Sequence, residues 1–175
     1  MKAKGNIFLI GMMGVGKTTI GKKLATYLNM EFYDSDAEIE KHTKATVSWI
    51  FELEGEGKFR EREIKMIDWL TQQKNIVLAT GGGAILSPDN RHCLKERGLV
   101  IYLHADPNAL IKRTRQEGRP LLSEENPYEV FVDLLAKREP LYKEIAQFSY
   151  DTGQNDLSHV VRQIINDLRS NKYVR

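Results

Sequence analysis

Several features that are typical of particular classes of protein are rare or absent in this sequence. Its 175 residues hold a single cysteine, Cys93, which excludes an intrachain disulfide and a cysteine-built metal site and favours a reducing compartment. No apolar stretch is long enough to cross a membrane. The formal net charge is only +2, so the chain lacks the large basic field typical of nucleic-acid binders. These absences favour a cytoplasmic protein that acts on small molecules.

The chain also lacks any sign of a targeting segment or a second domain. Residues 1–5 run straight into the first apolar stretch, so we expect neither a signal peptide nor a transit peptide. We find no internal repeat, low-complexity tract or flexible linker, and 41% hydrophobic residues can fill one core of this size. We therefore expect residues 1–175 to form one domain.

The most informative stretch follows the apolar run at residues 7–10. Residues 11–18, GMMGVGKT, fit G-x-x-x-x-G-K-[ST], in which glycine N–H groups wrap a phosphate chain, the lysine reaches the outer phosphates and the hydroxyl binds magnesium. Apolar residues at positions 20, 24 and 28 predict a helix whose positive dipole end faces the same phosphates. This order indicates a site for a nucleoside triphosphate. Its candidate residues are Gly14, Val15, Gly16, Lys17, Thr18 and Thr19.

Phosphoryl transfer needs positioning, a metal, positive charge and a group that orients the acceptor hydroxyl. Thr18 is the expected magnesium ligand. The third predicted strand ends in Thr-Gly, without the carboxylate that usually completes such a site. The second predicted strand, residues 30–33, is followed by Asp34, which is the natural substitute, directly or through water. We expect Asp36 to point the same way along an extended chain, where it could take the acceptor's proton or align its hydroxyl.

Apolar runs alternate with helical patterns along the rest of the chain. Further strands are predicted at residues 76–79, 100–103 and 148–150, and further helices at 64–70, 88–98, from 107, at 128–142 and at 157–168. Strands that alternate with helices imply a parallel sheet covered on both faces, with right-handed crossovers. The sequence therefore predicts a three-layer α/β/α fold.

Four arginines are candidates for binding a small anionic acceptor or the phosphates. Arg60 and Arg138 lie near element ends, with Arg138 just before Pro140 in the predicted helix at 128–142. Arg113 and Arg119 belong to a predicted basic loop at residues 113–122, which is a candidate lid. Converging guanidinium groups bind a carboxylate in bidentate fashion, and an arginine on a lid can neutralise charge on the transferred group.

Together these motifs resemble the shikimate kinase family. The resemblance rests on the loop at 11–18, DSD at 34–36, GEGKFR at 55–60 with Glu63, TGGG at 80–83, RPLL at 119–122, AKREPLY at 136–142 and YDT at 150–152. It implies a P-loop fold like that of nucleoside monophosphate kinases: a five-stranded parallel sheet in order 2-3-1-4-5, with a substrate-binding segment at about 35–63 and a lid at about 113–126. The implied reaction converts MgATP and shikimate to ADP and shikimate 3-phosphate, on the route to chorismate and aromatic amino acids, in a monomer.

The resemblance also implies roles for particular residues on the acceptor side. Asp36 would contact the ring hydroxyls, Arg60 and Arg138 would clamp the substrate carboxylate, and Gly82 would lie close to the ring. Glu63 would orient Arg60 from one helical turn away. The implied apolar walls of the pocket are Val47, Phe51 and Phe59.

On the nucleotide side, the resemblance makes Lys17 and Arg119 catalytic together with Asp36. Arg119 would close from the lid onto the phosphates. Arg113 and the loop after residue 151, with Gln154, would flank adenine. That loop reads GQND at residues 153–156 where the family often has a proline, which leaves the adenine contacts open.

Three other functions fit part of the pattern. A kinase for another polyol acid such as gluconate would explain the P-loop, but it would not call for F-R-x-x-E and R-P-L-L together. A regulatory module that binds nucleotide without turnover usually loses the lysine, the acceptor aspartate or the lid arginine, yet Lys17, Asp36 and Arg119 are all present. A nucleic-acid-binding P-loop protein is disfavoured by the near-neutral charge.

Overall fold

Five parallel strands form a single sheet in the order β2-β3-β1-β4-β5. The computed structural model describes residues 5–116, 126–153 and 156–173. The strands are β1 (Asn6–Ile10), β2 (Glu31–Asp34), β3 (Ile76–Ala79), β4 (Gly98–His104) and β5 (Phe148–Asp151). This is the strand order implied by the family resemblance, and each strand overlaps the run that predicted it.

Helices cover both faces of this sheet. They are α1 (Lys17–Leu28), α2 (Ser35–Thr43), α3 (Val47–Thr71), α4 (Pro88–Arg97), α5 (Pro107–Gln116), α6 (Pro127–Ile145) and α7 (Leu157–Ser170). Helices α1 and α7 contact each other, while α3 and α6 both contact α4. Right-handed crossovers in this strand order put the two groups on opposite faces. The predicted three-layer architecture is confirmed.

The core lies around the central strands, whose residues are mostly apolar and covered on both faces. All residues of β1 and β3 are buried, as are Leu99–Leu103 in β4, whereas the edge strand β2 is partly exposed. Near-continuous hydrophobic runs of this kind are typical of parallel strands sandwiched between helices. Of the described helices, none is long and apolar enough to cross a membrane.

The strand register brings several loops to one edge of the sheet. Asp34 at the end of β2 pairs with Ala79 at the end of β3, and Leu9 of β1 pairs with the same Ala79. The P-loop, the glycine turn at residues 81–83 and the start of α2 therefore meet at the carboxyl ends of the strands. Ligands of open α/β sheets bind at this edge.

Two local expectations were wrong. Residues 34–36 do not form one extended run, because Asp34 is the N-cap of α2 and Asp36 already lies in its first turn. Arg113 lies in helix α5, which runs to Gln116, and not in the predicted basic loop. The helix predicted at 128–142 is present as α6, which continues through Pro140 to Ile145. Proline removes one hydrogen-bond donor and tends to kink a helix, but it does not have to end one that is packed on both sides.

Candidate active site

The loop between β1 and α1 has the backbone shape that its glycines allow. Gly14 and Gly16 have φ angles of +74° and +93°, in the left-handed region that favours glycine, and Gly16 is the N-cap of α1. The Lys17 ammonium donates hydrogen bonds to the carbonyls of Gly11 and Met12, both at 2.8 Å. Lys17 is thereby held across the loop, at the helix N-terminus where phosphates bind.

A hydroxyl and a carboxylate meet beside this loop. Thr18 Oγ1 donates a 2.8 Å hydrogen bond to Asp34 Oδ2, although the two residues come from different elements. Both are oxygen ligands, which magnesium prefers. Among residues 5–116, 126–153 and 156–173, no group of three or more His, Cys, Asp and Glu side chains could hold a metal. The donor set therefore fits an ion that takes its remaining ligands from phosphates and water.

The start of α2 is tied to the glycine turn that follows β3. Asp34 Oδ1 accepts hydrogen bonds from the backbone N–H groups of Asp36 and Ala37, at 3.1 and 3.3 Å. The fully buried Ser35 accepts a 2.9 Å hydrogen bond from the N–H of Gly81. Asp34 thus both binds Thr18 and caps α2, and the cap fixes where Asp36 projects.

Each glycine of the turn at residues 81–83 lies against a charged side chain. A methyl group on Gly81 would be 2.7 Å from Asp36 Oδ1 and 2.9 Å from Glu63 Oε1. One on Gly82 would be 3.6 Å from Arg138 Nη1, and one on Gly83 only 2.6 Å from Arg60 Cζ. The turn therefore gathers two carboxylates and two guanidinium groups around a backbone without side chains. These four charged residues are Asp36, Arg60, Glu63 and Arg138.

Arg60 is held by two carboxylates of its own helix. Its Nη1 donates a 2.7 Å hydrogen bond to Glu63, which is 1% exposed. Its Nε and Nη2 donate to a single oxygen of Glu56, at 3.1 and 2.9 Å. The Glu63 contact is the one that the resemblance implied, and these contacts fix the guanidinium plane.

Arg138 is buried beside Tyr142, one turn further along α6. The Tyr142 hydroxyl donates a 2.5 Å hydrogen bond to the Gly82 carbonyl and lies 3.8 Å from Met12 Sδ. Arg138 Nη1 is 3.9 Å from the same sulfur. Because Met12 belongs to the P-loop, α6 connects the glycine turn with that loop.

Burial and ion pairing shift the titration of these groups. Burial raises the pKa of Glu63, and the nearby Arg60 and Arg138 only partly offset this effect. Burial alone would lower the pKa of Arg60, but Glu63 and Glu56 outweigh it and raise that pKa. Burial also raises the pKa of Tyr142, with Arg138 opposing it. Perturbed carboxylates beside fixed cations are typical of functional sites.

An apolar cluster lies next to these charges, between α2 and the first part of α3. Phe59, Ile39 and Ile50 are buried in it, with Val47 and Phe51 packed against them. The Phe51 and Phe59 rings are 4.8 Å apart. The three implied apolar walls therefore lie in one cluster, and the Arg60 guanidinium group lies over the Phe59 ring at 5.4 Å.

The predicted adenine side is described only in part. Arg113 of α5 donates a 2.7 Å hydrogen bond to the backbone carbonyl of Thr152, whose buried hydroxyl donates to the Val15 carbonyl at 2.9 Å. These contacts join α5, the P-loop and the loop after β5. Arg119 and Gln154 lie outside the described residues, as does residue range 117–125 of the candidate lid.

Sequence reasoning missed four residues that position the site. All four stand inside recognised motifs, D-S-D, G-E-G-K-F-R, A-K-R-E-P-L-Y and Y-D-T, but their own contacts were not predicted. Three of them contact residues distant in the sequence, which no local pattern indicates, and the fourth contacts Arg60 four residues along the same helix. The missed residues are Ser35, Glu56, Tyr142 and Thr152.

Comparison with known proteins identifies the family. The model of the shikimate kinase family matches residues 13–169. A shikimate kinase of Methylococcus capsulatus is 52% identical over 167 residues, covering 95% of this chain and 93% of that protein. A shikimate kinase of Haemophilus influenzae is also 52% identical, over 94% of this chain and 93% of its own length.

Solved structures give the same result. The shikimate kinase of Acinetobacter baumannii in complex with shikimate superimposes with a TM-score of 0.92 at 48% identity, covering 96% of this chain and 94% of that one. A gluconokinase from Sinorhizobium meliloti reaches a TM-score of 0.61 at 19% identity, which shows a shared fold alone. On these matches the chain belongs to the shikimate kinase family.

Proposed function

We infer that the chain transfers the γ-phosphate of ATP to the 3-hydroxyl of shikimate, giving ADP and shikimate 3-phosphate. The observation that carries this function is the convergence of two carboxylates and two guanidinium groups on the glycine turn, at the sheet edge that also holds the P-loop. An acceptor with one carboxylate and several hydroxyls matches this set of charges. The reaction belongs to the biosynthesis of chorismate and aromatic amino acids.

On the acceptor side, Arg60 and Arg138 bind the substrate carboxylate, and the ring lies against Gly82. The absence of side chains at residues 81–83 supports close approach of the ring to the backbone. Asp36 orients the 3-hydroxyl and is positioned to accept its proton. The apolar cluster around Phe59 covers the carbon skeleton of the ring.

On the nucleotide side, residues 14–19 bind the ATP phosphates. Lys17 and the loop N–H groups stabilise charge on the phosphates, including the charge that develops during transfer. Thr18 and Asp34 would hold the magnesium ion, which neutralises charge on the β- and γ-phosphates when it is bound. Arg113 and Gln154 flank adenine.

The lid at about 113–126 and its Arg119 complete the proposal. Arg119 closes onto the phosphates and excludes water from the transferred group. We further propose that the enzyme is a cytoplasmic monomer acting on ATP and shikimate, without nucleic acid or membrane partners. Light scattering of the purified protein tests whether it is a monomer.

The reaction is tested by measuring magnesium-dependent ADP formation with shikimate, gluconate, a nucleoside monophosphate or no acceptor. We expect strong stimulation by shikimate alone. The Lys17→Ala variant is the control, because it should remove turnover and thereby exclude a contaminating ATPase. Turnover on gluconate but not on shikimate would overturn the acceptor assignment, and ATP binding without any turnover would favour a regulatory module.

A further inference from the structure

Glu56 is the one carboxylate on Arg60 that lies largely in solvent. Glu63 is buried and holds Nη1, whereas the Glu56 side chain is 60% exposed and holds the edge formed by Nε and Nη2. Gly83 packs against the guanidinium group from the glycine turn. The edge that Glu56 occupies is therefore the edge that a ligand arriving from solvent can reach most easily.

The contact that Glu56 makes is the kind that a bound carboxylate makes. One oxygen accepts from Nε at 3.1 Å and from Nη2 at 2.9 Å, which makes two charge-assisted hydrogen bonds between a carboxylate and a guanidinium group. Glu56 follows Gly55, which has a φ of +81° and a non-helical backbone inside α3. A methyl group on Gly55 would touch nothing within 4 Å, so this glycine is needed for its conformation and not for space. The helical backbone of α3 is thus interrupted directly before Glu56.

We propose that Glu56 is a placeholder for the substrate carboxylate: it pairs with Arg60 in the unliganded enzyme and gives up the Nε–Nη2 edge when shikimate binds. This inference rests on the proposed binding of shikimate by Arg60. Glu56 keeps the guanidinium group neutralised and correctly turned until the exchange. Glu56 also selects for acceptors that carry an anion, since a ligand must bring its own negative charge to displace the Glu56 carboxylate.

The Glu56→Gln variant tests this exchange. Glutamine can still accept from Arg60 but carries no charge, so the competitor is weakened while the side chain keeps its length. We expect the KM for shikimate to fall about two- to fivefold, the range for a solvent-exposed ion pair, with kcat and the KM for ATP unchanged. With the carboxamide analogue of shikimate, which brings no anion, we expect no such fall.

The matched control is Glu61→Gln. Glu61 is also 60% exposed and lies on the same helix, but it pairs with Lys58. The Glu61→Gln substitution removes the same charge but leaves the contacts of Arg60 in place, so the KM of this variant for shikimate should stay at the wild-type value. An unchanged or raised KM in Glu56→Gln, or an equal fall in Glu61→Gln, would overturn the placeholder role. Wild-type enzyme that shikimate does not stimulate would instead overturn the proposed function itself.

Discussion

The two sides of the site are built in different ways. On the nucleotide side, one continuous stretch, residues 11–19, supplies most of the proposed phosphate contacts, and its shape follows from glycines with positive φ and from the start of α1. The acceptor side draws on α2, α3, the glycine turn and α6. The Tyr142–Gly82 hydrogen bond, for example, joins residues 60 positions apart.

This difference determines how each side can fail. A local motif keeps its geometry as long as its own backbone is intact. A site assembled from distant elements depends on side chains that hold one another, such as Arg60 with Glu63 and Tyr142 with Gly82. Substitutions that break these supporting contacts should therefore impair shikimate binding or turnover and leave ATP binding intact.

The largest effect is expected for Asp36→Asn. It removes the group that orients the acceptor hydroxyl and can take its proton, so turnover should fall by a hundredfold or more, as general acid–base catalysis implies. ATP binding, measured by calorimetry, should stay at the wild-type level because the P-loop is untouched. Glu38→Gln, on the same helix and paired with Lys41, is the control. Near-normal turnover of Asp36→Asn would rule out the assigned role.

The next largest effect is expected for Arg138→Ala. Truncating one partner of a buried charge pair costs about 2–5 kcal/mol, so the Kd for shikimate should rise about thirtyfold or more. Lys137→Ala removes an exposed cation from the adjacent position and should change little. If Arg138→Ala altered only the Kd for ATP, Arg138 would belong to the nucleotide side.

The same contrast explains what could be predicted from the sequence. Strand order, helix positions and the P-loop followed from periodicity and one contiguous motif, because these depend on neighbouring residues. The course of residues 34–36 could not be read in the same way, since the Asp34 side chain caps α2 and turns the chain into a helix at once.

The acceptor site needed the family resemblance. Spacing alone left Arg60 and Arg138 as two of several arginines, and nothing local indicates that they meet at one glycine turn. Glu56 and Ser35 stood inside recognised motifs, yet their partners became known only from the three-dimensional contacts. Long-range contacts, unlike caps and periodicities, leave no pattern in a single sequence.

Gly81→Ala is a smaller and more specific test of the assembled side. The added methyl group would be 2.7 Å from Asp36 Oδ1 and 2.9 Å from Glu63 Oε1, so both carboxylates must shift. We expect kcat/KM for shikimate to fall about tenfold, since small displacements of a reacting group are costly. Gly57→Ala, where a methyl group meets nothing within 4 Å, should be active. Equal activity of the two variants would show that the turn does not fix Asp36.

The smallest effect is expected for Thr152→Val, which removes a contact between the P-loop and a residue distant in the sequence. The Thr152 hydroxyl is fully buried and donates to the Val15 carbonyl of the P-loop, 137 residues away in the sequence. Thr152→Val keeps the shape but leaves this carbonyl without its donor, at a cost of about 1–3 kcal/mol of unfolding free energy. We expect the KM for ATP to rise severalfold with an unchanged KM for shikimate, measured beside a urea unfolding curve. Thr26→Val, on the exposed face of α1, is the control for the substitution itself. A shikimate KM that rose with the ATP KM would mean that the two sides are coupled through this loop, and the contrast between a local and an assembled half would not hold.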